Sequence, residues 1–173
     1  LRGIDVARDR QVSAVHEHLA EGQWLDPALP REVVVGRRLA RTLAVGLGEE
    51  IVVITQGADE AMAYDLFRIR GLLKSVGDAT DRTGVFMTEA AFRELIVVPD
   101  GFHQIVVRRP KDEPLELAVA RIRAVIQSHD VLSWRDLLPT LATMFDSARG
   151  AMVAMFLIVY LAIAILILNA MLM

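Results

Sequence analysis

The chain has 173 residues and a net charge of −3, and all of its charged side chains lie within residues 1–149. Its mild acidity and the lack of a basic stripe argue against a nucleic-acid partner. The sequence contains no cysteine, so it excludes disulfides and thiolate sites within this segment. Residues 1–149 have the length of one domain or of two small ones.

The first hundred residues predict a β-rich domain. Residues 1–5 resemble the end of a strand, and residues 11–20 carry apolar residues at helical spacing, with Gly22 ending that helix. Pro27 and Pro30 mark a loop. Apolar, β-branched segments then alternate with turns. The pattern predicts strands at 33–35, 51–55, 61–75 and 85–88, a hairpin turn at 56–59, helices at 36–43 and 89–95, and a polar loop at 77–84.

The next segment predicts a strand, a helix and a second strand. Residues 102–109 (FHQIVVRR) alternate as a strand, residues 115–127 carry apolar side chains along one helical side, and residues 131–133 end the segment as a strand. This order is half of a ferredoxin-like unit.

A helix is predicted to lead into the last part of the chain. Ser133 and Asp136 have the spacing of a capping box, and Trp134 lies between them. Pro139 suits a first helical turn, where its missing N–H has little cost. An apolar stripe follows at Leu141, Met144, Phe145 and Ala148. We expect one helix from Pro139 onward, with its first eleven residues standing roughly 16 Å clear of a membrane as a stalk.

Residues 151–173 predict a transmembrane helix. Of these 23 residues only Asn169 is polar and none is charged. A helix of that length spans about 35 Å, against a hydrocarbon layer of roughly 30 Å. The alternative, a helix buried in a soluble protein, would require the preceding residues to cover every face of it.

One face of this helix is predicted to pack against another helix. Small residues let membrane helices approach closely, and an amide in lipid needs a partner. Asn169 lies near one end, so reaching the headgroups is an alternative for it, and chance placement of the alanines is another for the face. The face consists of Gly150, Ala151, Ala154, Ile158, Ala162, Ile165 and Asn169.

The sequence shows no catalytic or cofactor-binding constellation. Gly46 and Gly48 are followed by Glu49, so neither a dinucleotide nor a Walker motif is met. Asp78 and Asp81 fit turn-forming aspartates better than an acid–base pair. Ser75 and Ser133 have no histidine at a recognisable spacing. A metal site is disfavoured for the four scattered histidines, which are His16, His18, His103 and His129.

Several stretches resemble MacB/LolC/LolE-type ABC transporter permeases. The likeness lies in LRGID, VVVGRRLARTLAVGLGEEIVVIT, FRIRGLLKSVGDATDRTGVFMTEAAF, VLSWRDLLP and ILNAMLM, and their order covers nearly all of the chain. Glu49 or Glu50 stands where the family commonly has Asp. The chain thus resembles the extracytoplasmic core domain followed by the second helix of the FtsX-like membrane part.

The resemblance implies an α+β, two-lobed periplasmic domain in which a β-rich lobe is inserted into a ferredoxin-like porter lobe. Residues 1–100 would be the inserted lobe, 101–134 the second half of the porter lobe, 135–150 the stalk helix and 151–173 the transmembrane helix. Residues 1–150 would be periplasmic and the anchor would lie in the inner membrane. We further expect a longer protein, with more sequence on both sides.

The implied function is a permease subunit that transmits ATPase-driven motion to the periplasm for export or lipoprotein release. Hydrolysis would take place on a separate or fused cytoplasmic ABC ATPase, so no enzyme activity is expected here. A second permease copy or paralogue, a lipoprotein or a periplasmic or outer-membrane protein, and membrane lipid are the other implied partners. The alternative is a membrane-anchored signalling or scaffold protein that regulates a periplasmic enzyme.

Overall fold

The computed structural model describes residues 1–74, 76–126 and 129–172. The predictions that involve Ser75, Gln127 and Met173 lie outside these residues. The chain forms two compact units, Leu1–Arg108 and Arg109–Met173. The fold class is confirmed as a mixed α/β domain followed by a long apolar helix, while the two lobes and their boundaries stay predictions.

The first unit is built on a mixed six-stranded sheet. Its strands run in the order β1-β6-β3-β5-β2, and β4 pairs with β5 beside β2. The β1/β6 and β3/β5 pairs are parallel, whereas the other three are antiparallel. The elements are β1 Arg2–Ile4, α1 Val6–Val12, β2 Leu19–Gly22, β3 Glu32–Gly36, α2 Arg37–Leu43, β4 Glu50–Gln56, β5 Met62–Leu73, α3 Asp78–Thr83, β6 Val85–Thr88 and α4 Glu89–Ile96.

The core lies on both faces of the sheet, on either side of β3. Successive side chains of a strand point to opposite faces, and three consecutive valines therefore bury both. Val33 and Val35 join one cluster with Phe67, and Val34 joins another with Trp24. All three valines are fully buried. The structure confirms the predicted strands at 33–35, 51–55 and 85–88 and the turn between β4 and β5. It also confirms the strand predicted at 61–75 over residues 62–73, while Ser75 lies outside the described residues.

Two glycines lie opposite each other where β2 pairs with β5. Gly22 is paired with Gly71 in the sheet register. A Cβ added to Gly22 would lie 2.2 Å from the Arg70 carbonyl oxygen, and one added to Gly71 would lie 2.5 Å from the Gln23 carbonyl oxygen. Gly22 also has a φ of 82°, which costs glycine little. The close contact of the two strands therefore depends on both glycines.

The predicted helix at 11–20 is wrong. The helix α1 begins earlier, because the Asp5 carboxylate caps it by accepting hydrogen bonds from Ala7 N at 3.0 Å and Arg8 N at 3.1 Å. A 3-10 turn follows at Val15–His18. The residues after it pair with the C-terminal end of β5 as β2, so Gly22 lies in a strand instead of ending a helix. Pairing with the sheet outweighed the local helical spacing.

The predicted polar loop at 77–84 is also wrong, since its middle forms α3. Asp78 forms ion pairs with Arg38 of α2 and, at 2.9 Å, with Arg82 of its own helix. The backbone of α3 comes so near to β3 that a Cβ on Gly36 would lie 2.5 Å from the Thr80 carbonyl oxygen. Tertiary contacts thus stabilise a short helix whose composition resembles a loop.

The second unit contains helices only, within its described residues. They are α5 Leu115–Val125, α6 Trp134–Leu137 and α7 Pro139–Leu172. The predicted apolar side of α5 is confirmed in part, since Ala118 is buried while Ile126, just past the helix, is 37% exposed.

The strands predicted at 102–109 and 131–133 are wrong, because neither segment pairs with a strand among the residues described. Ile105, Val106 and Val107 are each about three-fifths exposed. A strand requires a neighbour for its backbone N–H and C=O groups, which periodicity alone does not supply.

Candidate functional site: the stalk and the apolar helix

The short helix α6, which precedes α7, begins with a capping box, as predicted. Ser133 N donates to Asp136 Oδ2 at 2.8 Å, Ser133 Oγ donates to the same oxygen at 2.7 Å, and Asp136 N donates to Ser133 Oγ at 3.4 Å. The hydrogen bonds from the Ser133 side chain and, to a smaller extent, from its backbone N–H lower the pKa of Asp136 below its ordinary value. A reciprocal cap of this kind fixes the direction in which α6 begins.

The helix α7 is continuous from Pro139 to Leu172, which confirms the prediction of one helix through stalk and apolar run. Its 34 residues extend about 51 Å. Among the described residues it is the one helix long and apolar enough to cross a membrane. Pro139 is its first residue, where proline is tolerated.

The predicted stalk residues differ in their contacts and in their exposure. Trp134 meets Phe145 edge to face, with ring centroids 6.3 Å apart and planes at 83°. Leu141 and Met144 of the predicted stripe are 43% and 63% exposed, and Ala148 is exposed as well. Ala142, which the sequence analysis did not select, is buried at 7%. Phe145 is thus the member of the stripe that the structure brings into a ring contact.

Sequence reasoning also missed an ion pair between α6 and α7. Arg135 Nη1 donates to Asp146 Oδ2 and Arg135 Nη2 to Asp146 Oδ1, both at 3.0 Å. Hydrogen bonding to Asp146 and its charge raise the pKa of Arg135 above its ordinary value. The only signal in the sequence was a pair of opposite charges on either side of a proline.

The predicted membrane-packing face lies along α7 with its side chains exposed. Ile158 and Ile165 are 66% and 61% exposed, and a Cβ on Gly150 would meet nothing within 4 Å. The spacing puts the whole set on one side of the helix. Helix packing at this face stays a prediction. Its members are Gly150, Ala151, Ala154, Ile158, Ala162, Ile165 and Asn169.

Three of the residues weighed for chemistry take part in structural contacts. His16 is beside the Trp24 ring at 6.3 Å between centroids, and His103 meets the Phe92 ring edge-on at 6.0 Å. Asp78 is occupied by its two ion pairs. Among the described residues, no three His, Asp or Glu side chains are grouped to hold a metal ion.

A second surface feature is the outer face of the β4–β5 hairpin. Its side chains alternate along both strands, and Val52 and Ile54 lie opposite Leu66 and Tyr64. They are between 43% and 72% exposed. Exposed apolar faces of this kind are common at protein contact surfaces.

Comparison with known proteins identifies the family. A family model described as the MacB-like periplasmic core domain matches residues 4–125. No curated protein matches the sequence. The matched range covers the strands β2 to β6, the last residue of β1, and α5, and the apolar helix follows it along the chain. The chain therefore belongs to the MacB-like periplasmic core domain family of ABC-type transporter permeases.

Proposed function

We propose that this chain is part of a permease subunit that carries ATPase-driven motion to its extracytoplasmic domain, for export or lipoprotein release. The cytoplasmic ABC ATPase supplies the free energy. The domain, residues 1–134, moves periplasmic cargo or a periplasmic partner protein. The stalk, residues 135–150, connects this domain to the span at 151–173 in the inner membrane.

The observation that carries this proposal is the continuity of α7. The helix has one uninterrupted hydrogen-bonded backbone from Pro139, outside the apolar run, to Leu172 at its far end. Such a helix transmits a tilt or a shift along its axis, whereas a flexible linker would absorb it. The family match supports coupling of this motion to an ABC ATPase.

The packing face of α7 supports a second part of the proposal, assembly with a second permease copy or a paralogue. Gly150 and Ala154 form a small-xxx-small pair at the membrane entry, and Ala162 extends the same face. A close helix–helix contact there would hold the two levers together while they move.

The test uses the full-length permease assembled with its ATPase in lipid nanodiscs. A spin label on a cysteine at the exposed Thr140 position reports the distance between the two stalks. We expect this distance to differ between the nucleotide-free and the ATP-trapped complex, with ADP as the control. An unchanged distance in a complex that hydrolyses ATP would contradict motion through the stalk and would favour a regulatory scaffold.

A further inference from the structure

The chain bends sharply between α6 and α7, although a single residue separates them. That residue, Leu138, has φ −131° and ψ 62°, outside the helical region. The ring of Pro139 disfavours the helical conformation for the residue before it. The bend is thus encoded locally, and the two helices meet at an angle instead of forming one rod.

Two contacts cross this bend, and both join residues eleven positions apart. The Arg135 guanidinium forms two hydrogen bonds with the Asp146 carboxylate, each 3.0 Å long. The Trp134 and Phe145 rings meet edge to face. In a straight helix, residues with this separation lie about 16 Å apart along the axis, too far for either pair to touch. We call this bend between α6 and α7 the elbow. Straightening of the elbow must therefore break both contacts together.

The geometry of the ion pair is specific. The planar fork of an arginine matches a carboxylate in two parallel hydrogen bonds, which fixes orientation as well as distance. The Arg135 guanidinium carbon also lies 5.4 Å from the centre of the Trp134 ring, within cation–π range. Arg135 thus connects the ring contact and the ion pair into one unit.

The ion pair across the bend can break at a small cost in free energy. The side chains of Arg135 and Asp146 are 42% and 57% exposed, and exposed ion pairs contribute little to stability. Asp146 has a second electrostatic partner in Arg149, which lies one turn further along α7. Arg149 therefore offsets part of the Asp146 charge when Arg135 moves away.

We propose that Trp134, Arg135, Phe145 and Asp146 form an elbow latch, which holds the stalk bent and opens during the transport cycle. Arg135 and Asp146 are then positioning residues for the coupling of ATP hydrolysis to movement of the domain. The latch rests on the proposed function, since only a moving stalk requires a contact that opens.

The first experiment exchanges the two charges in the assembled full-length complex. We expect Arg135→Asp and Asp146→Arg each to lower transport per ATP hydrolysed about fivefold, the upper end of the effect of losing an exposed ion pair, because each variant also places two like charges together. The double exchange should return the ratio to within about twofold of the original. Arg121→Asp, which reverses the charge of an exposed arginine paired with Glu113 in the same unit, is the matched control and should leave the ratio unchanged.

Single variants that transport normally, or a double exchange that fails to recover in an assembled complex, would refute the latch. A complex of unaltered sequence that hydrolyses ATP without any transport would refute the proposed function instead.

The second experiment tests whether the latch opens by cross-linking positions 134 and 145, without measuring transport. Trp134→Cys combined with Phe145→Cys keeps the ion pair and places two thiols where the rings now meet. A short thiol cross-linker should join them in one nucleotide state more than in the other. Absence of the cross-link in every state would mean that the elbow is not bent in the membrane, and equal yields would mean a fixed brace. Either result overturns the latch, whatever the transport assay gives.

Discussion

At the scale of single residues, Val97 has an unfavourable backbone conformation. It ends α4 in the left-handed region, with φ 57° and ψ 42°. An L-residue pays about 1–2 kcal/mol there, and a β-branched side chain is an outlier. Its N–H closes the helix end on the carbonyls of Arg93 and Glu94, which explains why the conformation is kept.

Replacement of Val97 by glycine should stabilise the protein. Glycine adopts the left-handed region without strain, and the Val97 side chain is 54% exposed, so little packing is lost. We expect the free energy of unfolding to rise by about 1 kcal/mol, after the greater entropy of glycine in the unfolded chain is subtracted. Thermal unfolding of the full-length protein in detergent measures the change. Val98→Gly is the control and should lower the melting temperature; a lower melting temperature for Val97→Gly would contradict the strain argument.

Caps could be predicted residue by residue, because they depend on the next three backbone N–H groups. Ser133 was predicted as a cap, and Thr88 holds the same position before α4; both accept a hydrogen bond from the N–H of the third following residue. Arg70 could not be predicted in this way. Its guanidinium binds the Trp24 carbonyl at 2.8 Å and pairs with Glu32, partners that only the folded sheet brings near.

At the scale of elements, prediction succeeded where the residue types of a segment favour one regular structure. Residues 51–55 are all β-branched, which favours a strand, and α7 is apolar over many turns, which favours a long helix. The helix predicted at 11–20 was wrong because its helical spacing competed with strand pairing, in which residues 19–22 join β5 as β2. The segment at 102–109 failed for the opposite reason, since its strand pattern has no pairing partner in the described residues.

Stiffness of α7 at its base can be tested with a proline. Ser147 lies in the helix interior, four residues before the apolar run. Proline there removes a backbone hydrogen bond and clashes with the preceding turn, at a cost of about 3 kcal/mol or more. We expect Ser147→Pro to lower transport per ATP hydrolysed while the complex still assembles, and Ser147→Ala to behave as the original. Transport and ATPase rates measured together give the answer; full transport by an inserted Ser147→Pro protein would refute a rigid lever.

At the scale of the whole molecule, the arrangement along the chain is informative. The folded sheet unit comes first, the helical unit follows, and the apolar part of α7 comes last. The sequence predicted this order because composition changes abruptly after Arg149. It did not predict the elbow contacts, which join residues on either side of a bend that only the three-dimensional path of the chain creates.

The side of the membrane on which the sheet unit lies follows from the proposed function and can be tested directly. Asp59 is exposed in the turn between β4 and β5, and the segment has no cysteine, so Asp59→Cys introduces one thiol into it. We expect this thiol to react with a membrane-impermeant reagent in cells whose outer envelope alone is permeable. Ala91→Cys, at a core position 5% exposed, is the matched control and should stay unreactive while the domain is folded. Reaction at position 59 only after the inner membrane is disrupted would place the sheet unit in the cytoplasm, and the stalk would then have no periplasmic domain to move.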